Sequence, residues 1–223
     1  MEPALLLLTG LFLGMRHAFD RDHVAAVTHF ISLEPDPLRS AWFGFRWALG
    51  HAVTVLSLGS LIILLRLKFD PAFERYAELA VGVTLVALGI WRLGLLIQDR
   101  RHAHPHQHKK ERHRHPHSHE APQPHVHHFA PTLVGMVHGA SGTAEVFVLL
   151  PITLMASRSL AYLYIGLFSV GCAVTMSTYG YLAGHFYRRA NEKGQRIYRF
   201  LVALTSTTGI LLGAVWILRN LQP

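Results

Sequence analysis

The sequence predicts an all-α, polytopic membrane protein with six transmembrane helices in two inverted three-helix repeats. The first observation behind this is compositional: of 223 residues, 51% are hydrophobic and 15% charged, and the charges gather in short stretches between long apolar runs. A run of about 20 apolar residues covers the roughly 30 Å hydrocarbon core of a bilayer. Several such runs leave no room for a separate soluble domain. The second observation is a repeat at an offset of 121 positions, which aligns GMRH (Gly14–His17) with GMVH (Gly135–His138) and GHAVT (Gly50–Thr54) with GCAVT (Gly171–Thr175). Three spans per half, an odd number, force the halves to cross in opposite directions. That is the inverted repeat common in secondary transporters, whose substrate sites lie near the midplane. The match is much poorer in the third and sixth spans.

The six spans are expected near 3–32, 41–66, 77–98, 131–156, 160–185 and 197–219. Proline and charge punctuate the gaps: EPDPLRS at 34–40, RLKFDPAFER at 66–75, SRS at 157–159 and YRRANEKGQR at 187–196. The first span is too long for one straight crossing, because about 30 helical residues reach roughly 45 Å. It must tilt strongly or break near Gly14 and the polar cluster that follows, and a break is expected. The apolar N-terminus has no basic leader and no small-x-small cleavage site, so it is expected to be a span and not a signal peptide.

Residues 1–98 form the first repeat, 99–130 a histidine-rich loop and 131–223 the second repeat. From His102 to His128 the loop reads HAHPHQHKKERHRHPHSHEAPQPHVHH, with eleven histidines and almost nothing apolar. Such a segment buries too little surface to offset chain entropy, so disorder is expected. Arg39, the basic residues of this loop and the 188–199 cluster fall on one side of the bilayer. Arg66, Lys68, Arg75, Arg158 and Arg219 fall on the other. The excess of positive charge places the loop in the cytoplasm and both termini outside.

The net charge of +8 does not point to nucleic acid. Its basic residues flank apolar segments without the interleaved aromatics of a base-stacking surface. The single cysteine, Cys172, excludes an internal disulfide and a multi-cysteine metal site. It reads as a small packing residue.

Ionisable groups inside a bilayer are costly and each needs a reason. The first span holds Arg16, His17, Asp20, Asp22, His23 and His29; the second holds Arg46 and His51, and the fourth His138 and Glu145. Hydrogen bonding alone could be met more cheaply by Ser, Thr or Asn. Imidazole nitrogen and carboxylate oxygen are instead what borderline divalent metals accept. The candidate metal ligands are therefore His17, Asp20, Asp22, His23, His51, His138 and Glu145. In a regular helix His17, Asp20 and His23 share one face and Asp22 points nearly opposite His17. Either the helix unwinds so that His17 and Asp22 meet one ion, or Asp22 pairs with an arginine or orients a histidine. Arg92, near the end of the third span, is expected to reach toward the interface and carries no assigned role.

At these residues the sequence resembles the nickel/cobalt transporter family of bacterial permeases, including its smaller urease-associated relatives. The family signature R-H-A-x-D-x-D-H is met by RHAFDRDH, Arg16–His23, with the core H-x-x-x-x-D-H in His17, Asp22 and His23. The motif F-x-x-G-H-S-x-V-V is approached by FRWALGHAVTVL, which keeps Gly50 and His51 and has Ala52 for serine. L-G-x-D-T-A-T-E is matched loosely by HGASGTAE, which keeps Gly139 and Glu145 and has Ser141 for aspartate. Family members commonly have eight spans with the signature on the second, so this chain would lack the first.

The resemblance implies a secondary permease of the bacterial inner membrane, not an enzyme. It implies Ni²⁺ or Co²⁺ as cargo, no cofactor, and the lipid bilayer and metal-enzyme maturation proteins as partners. The signature leans toward uptake; the histidine-rich loop suits an exporter of nickel, cobalt or zinc equally. The loop is also expected to buffer metal at the cytoplasmic mouth. No phosphate-cradling G-x-x-x-x-G-K-[ST] loop is present. The remaining alternative is an acyltransferase, because His17 and Asp22 also fit H-x-x-x-x-D. It ranks last, since His17 lies within a span and no soluble domain is available to hold the two substrates.

Overall fold

The computed structural model describes residues 3–65, 70–98, 106–108, 111–113, 129–141, 150–153, 155 and 157–221. Eight helices are seen among them: α1 (Pro3–His17), α2 (Arg21–Ile31), α3 (Pro37–Leu65), α4 (Pro71–Gln98), α5 (Ala130–Gly139), α6 (Leu150–Thr153), α7 (Arg158–Lys193) and α8 (Gln195–Leu221). Two three-residue strands, β1 (His106–His108) and β2 (Glu111–His113), pair antiparallel with His106 opposite His113. The rest of the histidine-rich loop, on which the expectation of disorder falls, lies outside the described residues.

Four of these helices, α3, α4, α7 and α8, are long and apolar enough to cross a membrane. Their outer faces carry large apolar side chains that water would penalise: Ile90 is 58% exposed, Leu182 61% and Leu211 62%. Histidines and serines are instead buried inside, among them His17, His51 and Ser206. Apolar side chains outside and polar groups inside suit a bilayer, where the surrounding lipid is itself apolar. The chain is a helical membrane protein.

Local chemistry fixes the helix starts. Asp36 Oδ1 accepts from the amides of Leu38 and Arg39, at 3.1 and 3.0 Å, with Pro37 in the first helical position of α3. Asp70 and Pro71 repeat the device on α4, where Asp70 Oδ1 accepts from the Ala72 amide at 2.8 Å. A side-chain acceptor followed by proline is a strong helix start. Both helices therefore begin several residues before the expected spans at 41 and 77. The gap expected at 187–196 is likewise helical as far as Lys193. It lacks proline and is rich in helix formers, and α7 ends only where Gly194 takes φ +147°. Charge in that stretch marks where apolar sequence stops, not where the helix does.

The first span breaks as expected. After His17 the chain turns through Ala18 and Phe19, with the Asp20 amide donating to His17 O at 2.9 Å. Asp20 is extended (φ −59°, ψ 144°) and α2 starts after it. In the fourth span α5 ends at Gly139 and Leu150–Thr153 form α6, while 142–149 lie outside the described residues.

Packing repeats at the offset of 121. The main interfaces are α3 with α7, α4 with α8, α1 with α7, and α3 with α5. Gly14 lies against the Phe168 carbonyl, as Gly135 lies against that of Trp47. Gly50 lies against the Thr132 carbonyl, as Gly171 lies against that of Leu11. A Cβ at any of these positions would be driven into the opposing backbone, so the crossings need glycine.

Arg92 does not reach to the interface. It is 6% exposed, donating from Nε to Ser32 Oγ at 2.8 Å and from Nη2 to Ser32 O at 2.5 Å. Tyr198 OH donates to the same carbonyl at 2.6 Å. The last turn of α2 offers unsatisfied carbonyls inside the protein, and this is a stronger attraction for a guanidinium than the distant headgroups. Through it α2 is fastened to α4 and α8.

Candidate metal site

The break after α1 brings together side chains that a continuous helix would separate. Six residues of helix would put His17 and His23 about 9 Å apart along the axis. Their ring centroids are instead 4.6 Å apart, edge to face. His51 comes from α3, carried in by the Gly50 crossing, and its ring centroid lies 5.2 Å from that of His17 and 5.3 Å from that of His23. All three imidazoles are buried, and one ligand atom from each lies within 4.8 Å of the others.

His17 Nε2 and His51 Nε2 are 3.2 Å apart. Two nitrogens bound tetrahedrally to one ion at 2.0–2.1 Å would be separated by about 3.4 Å. The pair is thus spaced for a metal with almost no adjustment. Without one, the contact requires a proton on one of the two nitrogens, which an incoming cation displaces.

Asp20 lies on the far side of His17, with Oδ2 2.9 Å from Nδ1. The approach is that of an ion pair and not of an aligned hydrogen bond, and a carboxylate there favours the tautomer that leaves Nε2 facing the other imidazoles. The other Asp20 oxygen, Oδ1, is 3.9 Å from Arg16 Nη1, and the carboxylate makes no side-chain capping bond to α2. Asp22 is buried, and its Oδ2 is 3.5 Å from His23 Nε2. It sits at the edge of the cluster, outside the group of three imidazoles. The fork left by helical periodicity is thereby narrowed: Asp20 stands beside His17, and Asp22 beside His23.

His138, on α5, is buried with its ring 5.7 Å from His23. Its Nδ1 donates to Val134 O at 2.8 Å, which leaves Nε2 as a lone pair without a hydrogen-bond partner among the described residues. His29 uses the same device, with Nδ1 on Ala25 O at 2.6 Å, but it faces Gly209 of α8 and stands apart from the cluster. Glu145 lies outside the described residues.

Two aromatic residues in the site went unread in the sequence. Trp47 stacks on His51 at 5.3 Å and also contacts His23 at 4.6 Å. Phe168, 121 positions on, contacts His17 at 5.3 Å. The available signal was position alone, since Trp47 precedes His51 by one helical turn; in an apolar span, aromatic residues at that spacing are common.

Comparisons with known proteins bear on this arrangement. The family described as the cytochrome C biogenesis protein transmembrane region matches residues 22–208. The chain is 29% identical over 208 residues to the urease accessory protein UreH of Bacillus sp. (strain TB-90), covering 93% of this chain and 88% of that protein. It is 26% identical over 207 residues to the chloroplast protein FOR GROWTH AND FERTILITY 2 of Arabidopsis thaliana, covering 92% of this chain but 54% of that one. The chain thus spans about half the length of the chloroplast relative. A stretch of 57 residues, 25% of this chain and 15% of the relative, is 40% identical to the nickel transporter NicT of Mycobacterium tuberculosis (strain ATCC 25618 / H37Rv). No solved structure matches. The likeness to the nickel/cobalt transporter family read from the motifs is borne out by the urease accessory and nickel transporter relatives.

Proposed function

The chain belongs to the family of the cytochrome C biogenesis protein transmembrane region, and from that premise we propose that it carries Ni²⁺ or Co²⁺ across a bacterial inner membrane as a secondary permease. The observation that carries the proposal is the convergence of His17, His23 and His51, three buried imidazoles from α1, α2 and α3, inside a bundle of membrane-spanning helices. Neutral imidazoles suit borderline divalent ions, and three of them leave coordination positions open through which an ion can enter and leave. Asp20, Asp22, His138 and Glu145 complete or guard the path. Uptake is the proposed direction, with metal-enzyme maturation proteins receiving the ion on the cytoplasmic side.

Two inverted three-helix repeats are the proposed architecture, with α1–α2, α3 and α4 answering to α5–α6, α7 and α8. It is supported by the glycine–carbonyl crossings that recur at an offset of 121. The histidine-rich loop lies in the cytoplasm and gathers metal at the mouth, and the termini lie outside. The ligand set also suits Zn²⁺, so competition among the three metals belongs in the test.

The test compares initial Ni²⁺ and Co²⁺ accumulation in cells making wild-type protein or His17→Ala at matched levels. Accumulation that rises with the wild type and not with the variant supports uptake through this site. Accumulation that falls with the wild type and recovers in the variant reverses the direction. No difference for either metal removes the nickel/cobalt reading and leaves zinc as the next cargo to test.

A further inference from the structure

We propose that Trp47 sets how many imidazoles can meet one ion. Its indole keeps His138 out of the His17–His23–His51 set, so that the site binds its cargo weakly enough to release it. The inference rests on the metal-transport reading above and extends it to a residue outside the ligand set.

Trp47 is fully buried on α3 and touches imidazoles from three helices: His23 at 4.6 Å, His51 at 5.3 Å and His138 at 5.7 Å between ring centroids. His138 reaches His23 but makes no ring contact with His17 or His51 among the described residues. It is nevertheless prepared as a ligand, with Nδ1 bonded to Val134 O and Nε2 a buried lone pair without a partner among the described residues. A fourth imidazole of the right tautomer thus stands next to a three-imidazole set, and the indole touches both it and His51.

The indole cannot yield by a shift of its helix, because the Trp47 carbonyl is pressed against Gly135 of α5, three residues before His138. It is not tethered by a polar contact either, since Nε1 has no hydrogen-bond partner among the described residues. Among the described residues the ring is held by packing, so shortening its side chain removes the barrier without breaking a polar contact. Three nitrogen ligands leave a coordination position open, as in catalytic zinc sites, whereas four close the tetrahedron, as in structural ones. A path that conducts must bind its ion firmly enough to admit it and loosely enough to let it go.

The test uses the purified full-length chain in detergent, with Ni²⁺ as the probe. Affinity is read by calorimetry and imidazole number by X-ray absorption at the nickel edge, for wild type, Trp47→Ala, Trp47→Phe and Trp47→Ala/His138→Ala. The expected result is three imidazoles in the wild type and four in Trp47→Ala, with affinity tighter by about tenfold, the lower end of the range seen for changes around a metal's ligands. Transport in proteoliposomes slows in the same variant. The double variant returns to three imidazoles and wild-type affinity, which a merely structural role for Trp47 would not produce. If Trp47→Ala fails to elute as a single species, Trp47→Phe carries the test with a smaller gain of the same sign. Four imidazoles in the wild type, or an unchanged or weaker affinity in a folded Trp47 variant, overturns the inference and leaves the metal reading standing. Wild type that binds neither Ni²⁺ nor Co²⁺ removes that reading itself.

Discussion

The stretches around Gly14 and Gly135 cross their neighbours in the same way and carry different chemistry. Gly14 and Gly135 make the same close approach to a neighbouring carbonyl, on Phe168 and Trp47, which are themselves 121 positions apart. The side chains around those crossings diverge. His17 has His138 as its counterpart, but Asp20 has Ser141, His51 has Cys172, and His23 has Ala144. The packing at these crossings is shared, while among the described residues the three imidazoles that could hold one ion lie on α1, α2 and α3. Packing at a backbone crossing depends on the absence of a side chain, which both halves retain; a ligand set needs particular side chains at one place and does not need to be built twice.

The sharpest way to break this contrast is to give the first half the residues of the second. His23→Ala installs what position 144 already has, and it should reduce Ni²⁺ and Co²⁺ transport to background. Equilibrium binding to the purified protein should weaken by more than about 100-fold, beyond the range typical of groups that only support a ligand. Binding unchanged by this variant would mean that the ion sits elsewhere.

Next in size is the shared backbone. Gly14→Val and Gly135→Val each press a branched side chain into a carbonyl, and each should lower stability by about 3 kcal/mol, the upper part of the range for overpacking. Thermal unfolding in detergent reads both. Equal losses sharpen the picture of one plan used twice, whereas a large loss at only one of the two would break it.

Asp20→Ser copies position 141 and frees the far nitrogen of His17 from its carboxylate. Metal affinity should fall by about tenfold, with the fold intact by circular dichroism. The smallest effect is expected at Cys172→Ala. This thiol occupies the place of His51 but packs in an apolar cluster with Trp47 and Met176. Transport should stay within about twofold, since a buried free cysteine behaves as a small hydrophobe. A larger loss would make the second half a chemical participant.

Much of this was legible in the residues themselves. The break in the first span followed from a length that no straight crossing can use together with a run of ionisable groups. That His17, His23 and His51 were candidate ligands followed from the cost of burying such groups in lipid, but Asp20, Asp22, His138 and Glu145 stood beside them and nothing in the residues singled out these three. Other features were hidden for physical reasons. Helix ends at Asp36–Pro37 and Asp70–Pro71 are set by caps, whereas a search for spans reads hydropathy, so α3 and α4 began earlier than expected. Arg92 looked like a residue reaching for headgroups because its partner, the Ser32 carbonyl, is sixty positions away in the chain and becomes available only when α2 ends inside the protein. Trp47 gave only its position one turn before His51, and one more aromatic ring in an apolar helix becomes informative only when three histidines surround it. Which histidine each of Asp20 and Asp22 would stand beside depended on the geometry of the break, which helical periodicity does not give.

The break also has an electrical consequence. Aligned peptide groups give a helix a partial negative charge at its C-terminal end and a partial positive charge at its N-terminal end. At residues 18–20 the carbonyl end of α1 and the amide end of α2 meet beside the histidines. A cation is drawn to the first and repelled by the second. Asp20 at the start of α2 and Asp22 within its first turn lie where a carboxylate offsets that repulsion. The two acids can therefore tune the local potential for a divalent ion even where imidazole nitrogens make every bond to it.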